Sequence, residues 1–390
     1  MKILHTVEFY EPSIGGMQEV VKQISEHLVK MGQSVTVATS KNPTRTRYIN
    51  NGVNIREFNI SGNYVNGMEG DIKTYQNYLL NSDFDVITNF AAQQWATDLI
   101  LPILQDIKAK KIFVPTGFSA LHLANYSLYF EMMKDWMKQY DMNVFLSQTY
   151  QDIEFARKYG VKNLEIIPNG ASELEFNREE TINIREELKI PSDQFLILHI
   201  GSHTGHKGHE EAIEIFRRSN LKNVTLVIVG NVISEKCYSS CKHKEMRFRV
   251  NIMNYFRDKH LLVTSLTRDK TVSLYKTTDL FLFPSNIECS PIVLFECMAS
   301  KTPFLTTDVG NSVEIIQWSQ AGELLPTLKD ENGYSHAEIS GSVPILENIY
   351  NDPNKRKRME DLGFKAWQEN FRWGAIAKQY YDLYLKLLKL

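Results

Sequence analysis

Two glutamates, Glu288 and Glu296, lie eight positions apart in the stretch ECSPIVLFE, on either side of a serine, a proline and an apolar run. Ser290 followed by Pro291 predicts a helix start, since serine is a preferred N-cap and proline is favoured at the first helical position. Glu288 then lies in the preceding loop, and Glu296 lies about one and a half turns into the helix. Free amides at a helix start bind phosphate, and carboxylates accept hydrogen bonds from paired sugar hydroxyls. The spacing is therefore typical of a site for a diphosphate that carries a sugar at each end.

Two glycine-containing loops precede predicted helices and are further candidates for contact with phosphate. The first, EFYEPSIGGMQEV, has Gly15 and Gly16 directly before a helix. This glycine pair could form an anion-binding site or only a structural turn, and both interpretations stay open. The second, HIGSHTGHKGHEEA, places Lys207 among glycines just before the next helix, which favours a phosphate contact. Neither loop has the spacing of a dinucleotide-binding or Walker A motif.

Histidines and cysteines in and after the second loop raise the alternative of a metal site. The candidates are His199, His203, His206, His209, Cys237, Cys241 and His243. Neither the histidine spacing nor the cysteine spacing fits a standard structural zinc motif. We therefore expect loop histidines and buried thiols, with no bound metal.

The elements that must position these residues alternate between strands and helices through most of the chain. KILHTV, MQEVVKQISEHLVKMG and SVTVAT predict a strand, a helix and a strand, a unit that forms a parallel sheet covered on both faces. A second series begins at FLILHIGS, after a polar connection at about residues 175–192. We therefore expect an α/β protein with two doubly wound, Rossmann-like domains, at residues 1–180 and 190–373. In such sheets ligands bind outside the carboxyl ends of the strands.

Length, composition and charge narrow the class of protein. A chain of 390 residues exceeds the usual size of a single core, which favours two domains. The balance of 44 basic and 46 acidic residues argues against general nucleic-acid binding, which needs a dominant basic surface. The chain lacks a secretion-signal pattern and an apolar run of membrane-spanning length, and its four cysteines fit buried thiols in a reducing compartment. We expect a cytoplasmic protein without a nucleic-acid partner.

The ordered set of segments resembles the retaining glycosyltransferases of family 4, which have the GT-B fold. The E-x7-E segment from Glu288 to Glu296 is their most specific mark, and PSIGG, IIPNG, GSHTGHKG and VIVGN extend the resemblance over nearly the whole chain. It implies two Rossmann-like domains that face each other across a cleft, with a C-terminal helix at residues 374–390 that returns to the first domain. It also implies a retaining, metal-independent transfer without a cofactor. The sugar would pass from a nucleoside-diphosphate sugar to a glycan or lipid-linked glycan acceptor in polysaccharide or cell-envelope biosynthesis.

Carried over residue by residue, the resemblance assigns the donor mainly to the second domain. Lys207 would neutralise the diphosphate, Glu296 would hold the ribose hydroxyls, and Glu288 would hold or orient the transferred sugar. Glu288 and Lys207 are therefore the expected catalytic residues. The other expected donor contacts are Gly16, Gly201, Ser202, Gly230, Thr264, Ser290, Pro291, Ile292 and Val293.

Acceptor binding is expected in the first domain, at residues that follow strand ends. The expected contacts are Asn89, Gln93, Thr116, Gly117 and His122. Trp95 and Phe118 are explained equally well by packing in the core or under a lid. The segment 125–142 is rich in aromatic residues and methionine at roughly helical spacing, which favours core burial. Contact of this segment with a lipid-linked acceptor or the inner face of a membrane stays open as an alternative.

The sequence departs from the family pattern at two positions. Ser202 stands where the family usually has an arginine, and His203 or His206 is then expected to supply part of the missing charge. Thr116 stands where the family often has a histidine. These departures keep two alternatives open, a non-catalytic nucleotide-sugar binder that supports an active transferase and a sugar-nucleotide epimerase. The intact glutamate pair and Lys207 favour an active transferase.

Overall fold

Strands and helices alternate along the chain in a computed structural model that describes residues 1–179 and 181–389. They divide into two units: unit 1 comprises Met1–Asn169 and the residues from Trp373 onward, and unit 2 comprises Gly170–Arg372. Each unit is built on a mainly parallel sheet flanked by helices. The predicted α/β class is therefore confirmed.

The strands of unit 1 are mostly short apolar runs that are buried in one sheet. They are β1 (Lys2–Thr6), β2 (Ser34–Ser40), β3 (Ile49–Asn50), β4 (Val53–Phe58), β5 (Ile60–Asn63), β6 (Gly67–Gly70), β7 (Val86–Phe90), β8 (Lys110–Val114), β9 (Met142–Phe145) and β10 (Leu164–Ile166). The main sheet has the order β10-β9-β8-β7-β1-β2-β4-β3, and its pairing is parallel except where β3 meets β4. Strands β5 and β6 form a separate antiparallel hairpin that was not predicted.

The helices of unit 1 cover this sheet with their apolar faces. They are α1 (Gly16–Lys30), α2 (Ile72–Leu80), α3 (Trp95–Asp98), α4 (Ser127–Gln139) and α5 (Gln151–Lys158), with 3-10 turns at Leu101–Asp106 and Ala124–Tyr126. Helix α4 buries Tyr129, Phe130, Met133 and Met137 in the core. The prediction of core burial for the segment 125–142 is therefore confirmed.

Unit 2 repeats the same architecture. Its strands are β11 (Phe195–Ile200), β12 (Val224–Val229), β13 (Lys259–Thr264), β14 (Leu280–Phe283), β15 (Phe304–Thr306), β16 (Gly322–Leu324), β17 (Thr327–Lys329) and β18 (Ser335–Ala337). Its helices are α6 (Glu173–Phe176), α7 (Ile184–Glu187), α8 (His209–Arg218), α9 (Glu235–Arg249), α10 (Ile252–Phe256), α11 (Arg268–Lys276), α12 (Ile292–Ala299), α13 (Ser312–Ser319), α14 (Ile339–Asn351) and α15 (Pro353–Asn370). The main sheet is parallel in the order β13-β12-β11-β14-β15-β16. Strands such as VTLVIV of β12 are buried along their whole length, as expected of a parallel sheet covered on both faces.

The last helix, α16 (Trp373–Lys389), belongs to unit 1, as the fold prediction required. It buries Trp373, Tyr380 and Tyr384 among other side chains. The Tyr384 hydroxyl lies 2.7 Å from the Thr88 hydroxyl and 3.2 Å from His5 Nε2, so the helix is fixed to strands β7 and β1. Within the described residues, no helix combines the length and hydropathy that a transmembrane span needs.

Candidate active site

Two loops of unit 2, after strands β11 and β14, bring predicted donor residues together. Gly208 has a positive φ of 71°, and a Cβ there would lie 1.8 Å from the Pro284 carbonyl oxygen. Only glycine at position 208 therefore allows the loop after β11 to approach the end of β14 so closely. The backbone N–H of Asn286 donates to the His206 carbonyl at 3.1 Å and closes this contact. Lys207 is thereby held beside the loop that carries Glu288.

The two predicted catalytic residues form an ion pair. Lys207 Nζ lies 2.6 Å from Glu288 Oε1, and the Ser285 hydroxyl donates to the same oxygen at 2.9 Å. The side chains of Lys207 and Glu288 are 28% and 13% exposed, so water screens the pair only in part. The arrangement offers an ammonium group to an anion and a carboxylate to a donor such as a sugar hydroxyl.

The helix after Glu288 begins later than predicted. Helix α12 starts at Ile292, with Pro291 in the N-cap position, so the prediction that Ser290 is the N-cap was wrong. The reason is the extended backbone of Pro291, whose ψ of 111° keeps it outside the helix. Pro291 has no N–H, and Ile292 and Val293 supply the first amides of a turn that has no acceptor for them within the helix. The helix start therefore lies one residue further along than predicted, and anion binding there stays a prediction.

Glu296 is the fifth residue of α12, about one turn from its start, and only 4% of the residue is exposed. A guanidinium nitrogen of Arg268 lies 2.6 Å from Glu296 Oε1. The same guanidinium makes two contacts with Glu175, at 2.7 and 3.0 Å. Burial acts to lower the pKa of Arg268, but the charges and hydrogen bonds of Glu296 and Glu175 outweigh it and raise that pKa. The arginine therefore compensates the buried charge of Glu296.

Neither Arg268 nor Glu175 was predicted from the sequence. One signal was present for Arg268, which follows β13 by four residues and so belongs to the strand-end positions where ligands bind. Glu175 had no such signal, because it lies in the polar connection before the second series of strands.

The ends of strands β11, β12 and β13 meet through backbone contacts that need glycine. A Cβ on Gly230 would lie 2.0 Å from the Gly201 carbonyl oxygen, and a Cβ on Gly201 would lie 2.9 Å from Lys207 Cβ. The N–H of Gly230 donates to the Thr264 carbonyl at 3.2 Å. Gly201, Gly230 and Thr264 therefore line one edge of the sheet, and Ser202 is half-buried in the same loop.

Of the two histidines expected to replace the charge that Ser202 lacks, His203 does not supply it. His203 is fully buried, and burial lowers its pKa, so its ring stays neutral near neutral pH. His206 is exposed, and its ring stacks on that of Tyr334 with the centroids 5.0 Å apart. The expectation of a charge from His203 was therefore wrong. The expectation of a charge from His206 stays a prediction.

In unit 1, Asn89 is not at a strand end. It is the fourth residue of β7 and is fully buried. Its amide nitrogen donates to the Thr6 hydroxyl at 2.7 Å, and its carbonyl accepts the Tyr140 hydroxyl at 3.0 Å. Both ends of the amide are thus used inside the core, and the prediction that Asn89 contacts an acceptor was wrong.

The other predicted acceptor residues do follow strand ends. Gln93, half-buried, comes after β7, and its side-chain carbonyl accepts the Ser119 hydroxyl and the Ala120 N–H, both at 3.4 Å. Thr116 is half-buried after β8 with a φ of 58°. Gly117 is buried and donates its N–H to Asp152 at 2.9 Å. His122 lies further along the same segment and is exposed.

Trp95 and Phe118 belong to the core rather than to a lid. Both are at most 1% exposed, and the indole N–H of Trp95 donates to the Ser40 hydroxyl at 2.8 Å. Phe118 packs edge-on against Phe130 and Phe155. Packing therefore accounts for both side chains.

A buried carboxyl group near Gln93 was missed by sequence analysis. Asp98 accepts the Tyr129 hydroxyl at 2.7 Å and the Tyr64 N–H at 2.9 Å. Burial raises the pKa of Asp98 to about 6. The Tyr129 hydroxyl in turn accepts the N–H of Gln93 at 3.0 Å. The end of β7 therefore carries a titratable group that is linked to a predicted acceptor residue.

Three of the residues considered for a metal site come together in unit 2. Ligand atoms of His203, Cys237 and Cys241 all lie within 4.8 Å of one another. The other candidates are not part of this group, and His206 and His243 are exposed.

The two halves of the chain match sequence models of two glycosyltransferase families. Residues 14–173 match the family described as Glycosyltransferase Family 4, and residues 180–361 match Glycosyl transferases group 1. The chain is a glycosyltransferase. It is 25% identical to an uncharacterized glycosyltransferase of Methanocaldococcus jannaschii, over 98% of each chain. It is also 23% identical to the lipopolysaccharide glucosyltransferase WaaG of Escherichia coli, over 70% of this chain and 69% of that enzyme.

A comparison with solved structures identifies the fold of this glycosyltransferase. The structure of HepE from Anabaena in complex with UDP aligns with a TM-score of 0.75 at 15% identity, over 98% of this chain and 99% of that one. This likeness confirms the predicted GT-B fold. At this level of identity it is evidence for the fold alone.

Proposed function

We propose that this glycosyltransferase moves a sugar from a nucleoside-diphosphate sugar to a hydroxyl of a glycan or lipid-linked glycan, with retention of the anomeric configuration. The observation that carries the proposal is the arrangement after β14. The Lys207–Glu288 ion pair, the free amides at the start of α12 and the buried Glu296 follow one another along unit 2. A nucleoside-diphosphate sugar presents the complementary groups in the same order.

Each of these groups has a role in the proposed donor site. Lys207 neutralises the diphosphate and stabilises it as it departs, which lowers the barrier because negative charge develops there. The amides of Ile292 and Val293 add hydrogen bonds to the same phosphates. Glu296 accepts hydrogen bonds from the ribose hydroxyls, and Arg268 holds its carboxylate in place.

Glu288 has the remaining role, at the transferred sugar. Once the diphosphate takes Lys207, the Glu288 carboxylate is available to the sugar hydroxyls and orients the ring for attack. The bond from the anomeric carbon to the diphosphate oxygen breaks, a bond to the acceptor oxygen forms on the same face of the sugar, and the proton of the acceptor hydroxyl passes to the departing diphosphate. In this proposal the residues of the chain, rather than a metal ion, stabilise the leaving group.

The acceptor is assigned to unit 1 and to the polysaccharide or cell-envelope class. Gln93, Thr116 and Gly117 follow the ends of β7 and β8, where the half-buried amide and hydroxyl groups can bond a sugar. Exposed His122 extends this surface. The relative WaaG, a lipopolysaccharide glucosyltransferase, supports the acceptor class.

We assign the proposed membrane contact to residues 246–257, because the segment 125–142 buries most of its aromatic residues and methionines. This stretch, MRFRVNIMNYFR, contains three arginines and no acidic residue. Its exposed apolar side chains, each more than half accessible, are Met246, Val250, Ile252, Met253, Tyr255 and Phe256. Exposed apolar and basic side chains in one segment are typical of contact with anionic headgroups.

The proposal is tested first by a thermal-shift screen against nucleoside diphosphates and their sugars, since a specific ligand raises the unfolding temperature through linkage. The stabilising donor is then supplied with glycan acceptors, and transfer and donor hydrolysis are measured. Donor turnover that is lost in Glu288→Ala supports a transferase. Binding without any turnover supports the non-catalytic binder, and alteration of the donor sugar without an acceptor supports the epimerase.

A further inference from the structure

His203, Cys237 and Cys241 form a cluster of metal-ligand type beside the proposed donor loop. His203 lies in the loop after β11, and the two cysteines lie one turn apart on α9. His203 Nδ1 is 3.6 Å from Cys237 Sγ, and ligand atoms of all three residues lie within 4.8 Å of one another. All three residues are among the metal candidates of the sequence, where the expectation was that no metal binds, because neither the histidine spacing nor the cysteine spacing fits a standard zinc motif. Strands β11 and β12, which precede them, are paired neighbours in the sheet.

The separation of His203 and Cys237 suits a shared tetrahedral ion. With Zn–S of about 2.3 Å and Zn–N of about 2.0–2.1 Å, a tetrahedral angle places nitrogen and sulfur ligands ~3.5 Å apart and two sulfur ligands ~3.8 Å apart. The observed 3.6 Å between His203 and Cys237 agrees with the first value. One imidazole and two thiolates are ligands that select zinc over magnesium or calcium.

The backbone around the cluster is already fixed. The N–H of His203 donates to the Asn231 carbonyl at 2.8 Å, and the His203 carbonyl accepts the Ser234 N–H at 2.6 Å. The Ser234 hydroxyl in turn accepts the Cys237 N–H at 3.4 Å and caps α9. The turn that holds His203 therefore also sets the first residues of the helix that carries both thiols.

The side chains are protected from bulk water. His203 and Cys241 are fully buried, and Cys237 is half-buried. His203 Nε2 is buried and, within the described part of the chain, has no hydrogen-bond partner. The other ring nitrogen, Nδ1, faces Cys237 Sγ, and an imidazole nitrogen beside a thiol is a ligand pair that suits a soft metal ion.

We propose that His203, Cys237 and Cys241 bind a divalent ion of the zinc type, with a fourth position left to water. The ion cross-links the loop that carries Lys207 to α9 and so stiffens the proposed donor loop. Both thiols lose their protons when the metal binds. This role is structural and is independent of the transfer chemistry. The metal site can therefore be tested separately from the proposed function.

The first experiment measures metal on the wild-type chain, purified under reducing conditions. We expect about one zinc per chain by elemental analysis. Titration of the metal-free protein with Co²⁺ should give the absorption of tetrahedral cobalt together with a thiolate-to-cobalt charge-transfer band. Absence of both cobalt signals in the fully reduced wild type overturns the proposal, whether or not any variant folds.

The second experiment compares ligand variants with a surface control. Cys237→Ser and Cys241→Ser should lose the charge-transfer intensity and bind zinc more than about 100-fold more weakly, since even outer-shell changes cost 10–100-fold in affinity. His243→Asn removes an exposed histidine from the same helix and should leave binding unchanged. If His243→Asn releases the metal and Cys237→Ser retains it, binding is adventitious and the proposal is wrong.

Discussion

Replacing Glu288 by glutamine should separate donor binding from catalysis. In the ligand-free structure Lys207 is paired with Glu288 at 2.6 Å, so an incoming diphosphate must compete with that carboxylate. Glu288→Gln removes the competing charge and the repulsion it exerts on the phosphates. Binding of the nucleoside diphosphate should therefore tighten, while transfer of the sugar should fall.

The size of the expected change in diphosphate affinity follows from the exposure of the Lys207–Glu288 ion pair. Exposed ion pairs contribute about 0.2–1 kcal/mol, and breaking a buried pair costs about 3–5 kcal/mol. Side chains that are 28% and 13% exposed place this pair between the two classes, at about 1–2 kcal/mol. The dissociation constant of the nucleoside diphosphate should fall by about 5- to 30-fold. Lys207→Met should raise the same constant by a comparable factor, because it removes the cation itself.

The assay is isothermal titration with the nucleoside diphosphate, followed by turnover of the intact donor. Glu210→Gln is a matched control, since Glu210 lies in the first turn of α8 but is paired with Lys244 and Ser240 instead of Lys207. The Glu210→Gln substitution should change neither the affinity for the nucleoside diphosphate nor the turnover of the donor. Weaker diphosphate binding in Glu288→Gln would refute the competition argument, and unchanged turnover would remove Glu288 from the catalytic residues.

Three further predictions concern other parts of the chain. Arg268→Gln should weaken nucleoside diphosphate binding about tenfold in calorimetry, because Glu296 loses the cation that holds its carboxylate. The double change Tyr255→Ser and Phe256→Ser should abolish sedimentation with anionic vesicles and leave turnover of a soluble donor intact. His5 is buried, and burial lowers its pKa to about 3 from 6.5, so its stabilising contribution is complete above pH 6.5 and is lost as the pH falls toward 3. When the pH is lowered from 6.5 to 5, the free energy of unfolding of the wild type, measured by urea titration, should fall by about 2 kcal/mol because of His5. The His5→Gln variant should lack this decrease.

Each of these predictions has an outcome that contradicts it. Arg268→Lys keeps the charge and should lose less affinity than Arg268→Gln, and equal losses would point to a packing role. Leu328→Ser is the control for vesicle binding, since Leu328 is 64% exposed in unit 2 outside the basic segment. Equal loss of vesicle binding in this control would remove the segment 246–257 from the account. A parallel decline of stability with pH in His5→Gln would assign the acid sensitivity to other groups.

Local patterns predicted most of the fold. Apolar runs such as VTLVIV, separated by helices with one apolar face, are sufficient to indicate parallel sheets, because burial on both faces leaves a continuous apolar signal. The hairpin of β5 and β6 was missed since ISGNYVNGMEG carries few of the apolar residues on which that signal depends. The predicted ends of helices and strands were less accurate than their type. The start of α12, for example, depends on the ψ angle of Pro291, and residue type alone does not determine that angle.

The side-chain partners could not be predicted from local patterns. Glu296 was recognised as a candidate, but its pairing with Arg268 joins the ends of two different elements, and no short-range rule relates them. Asn89 was misassigned because β7 extends to Phe90, which turns a presumed strand-end residue into a core residue. His203 and Cys237 meet only because their strands are neighbours in the sheet.

The most direct test of the account is proton NMR of the anomeric centre during turnover of the donor that stabilises the protein. We expect a product whose anomeric configuration matches that of the donor, formed by the wild type and lost in Lys207→Met. A product of inverted configuration would contradict the retaining mechanism. Unchanged turnover in Lys207→Met would contradict the assignment of the donor diphosphate to this site.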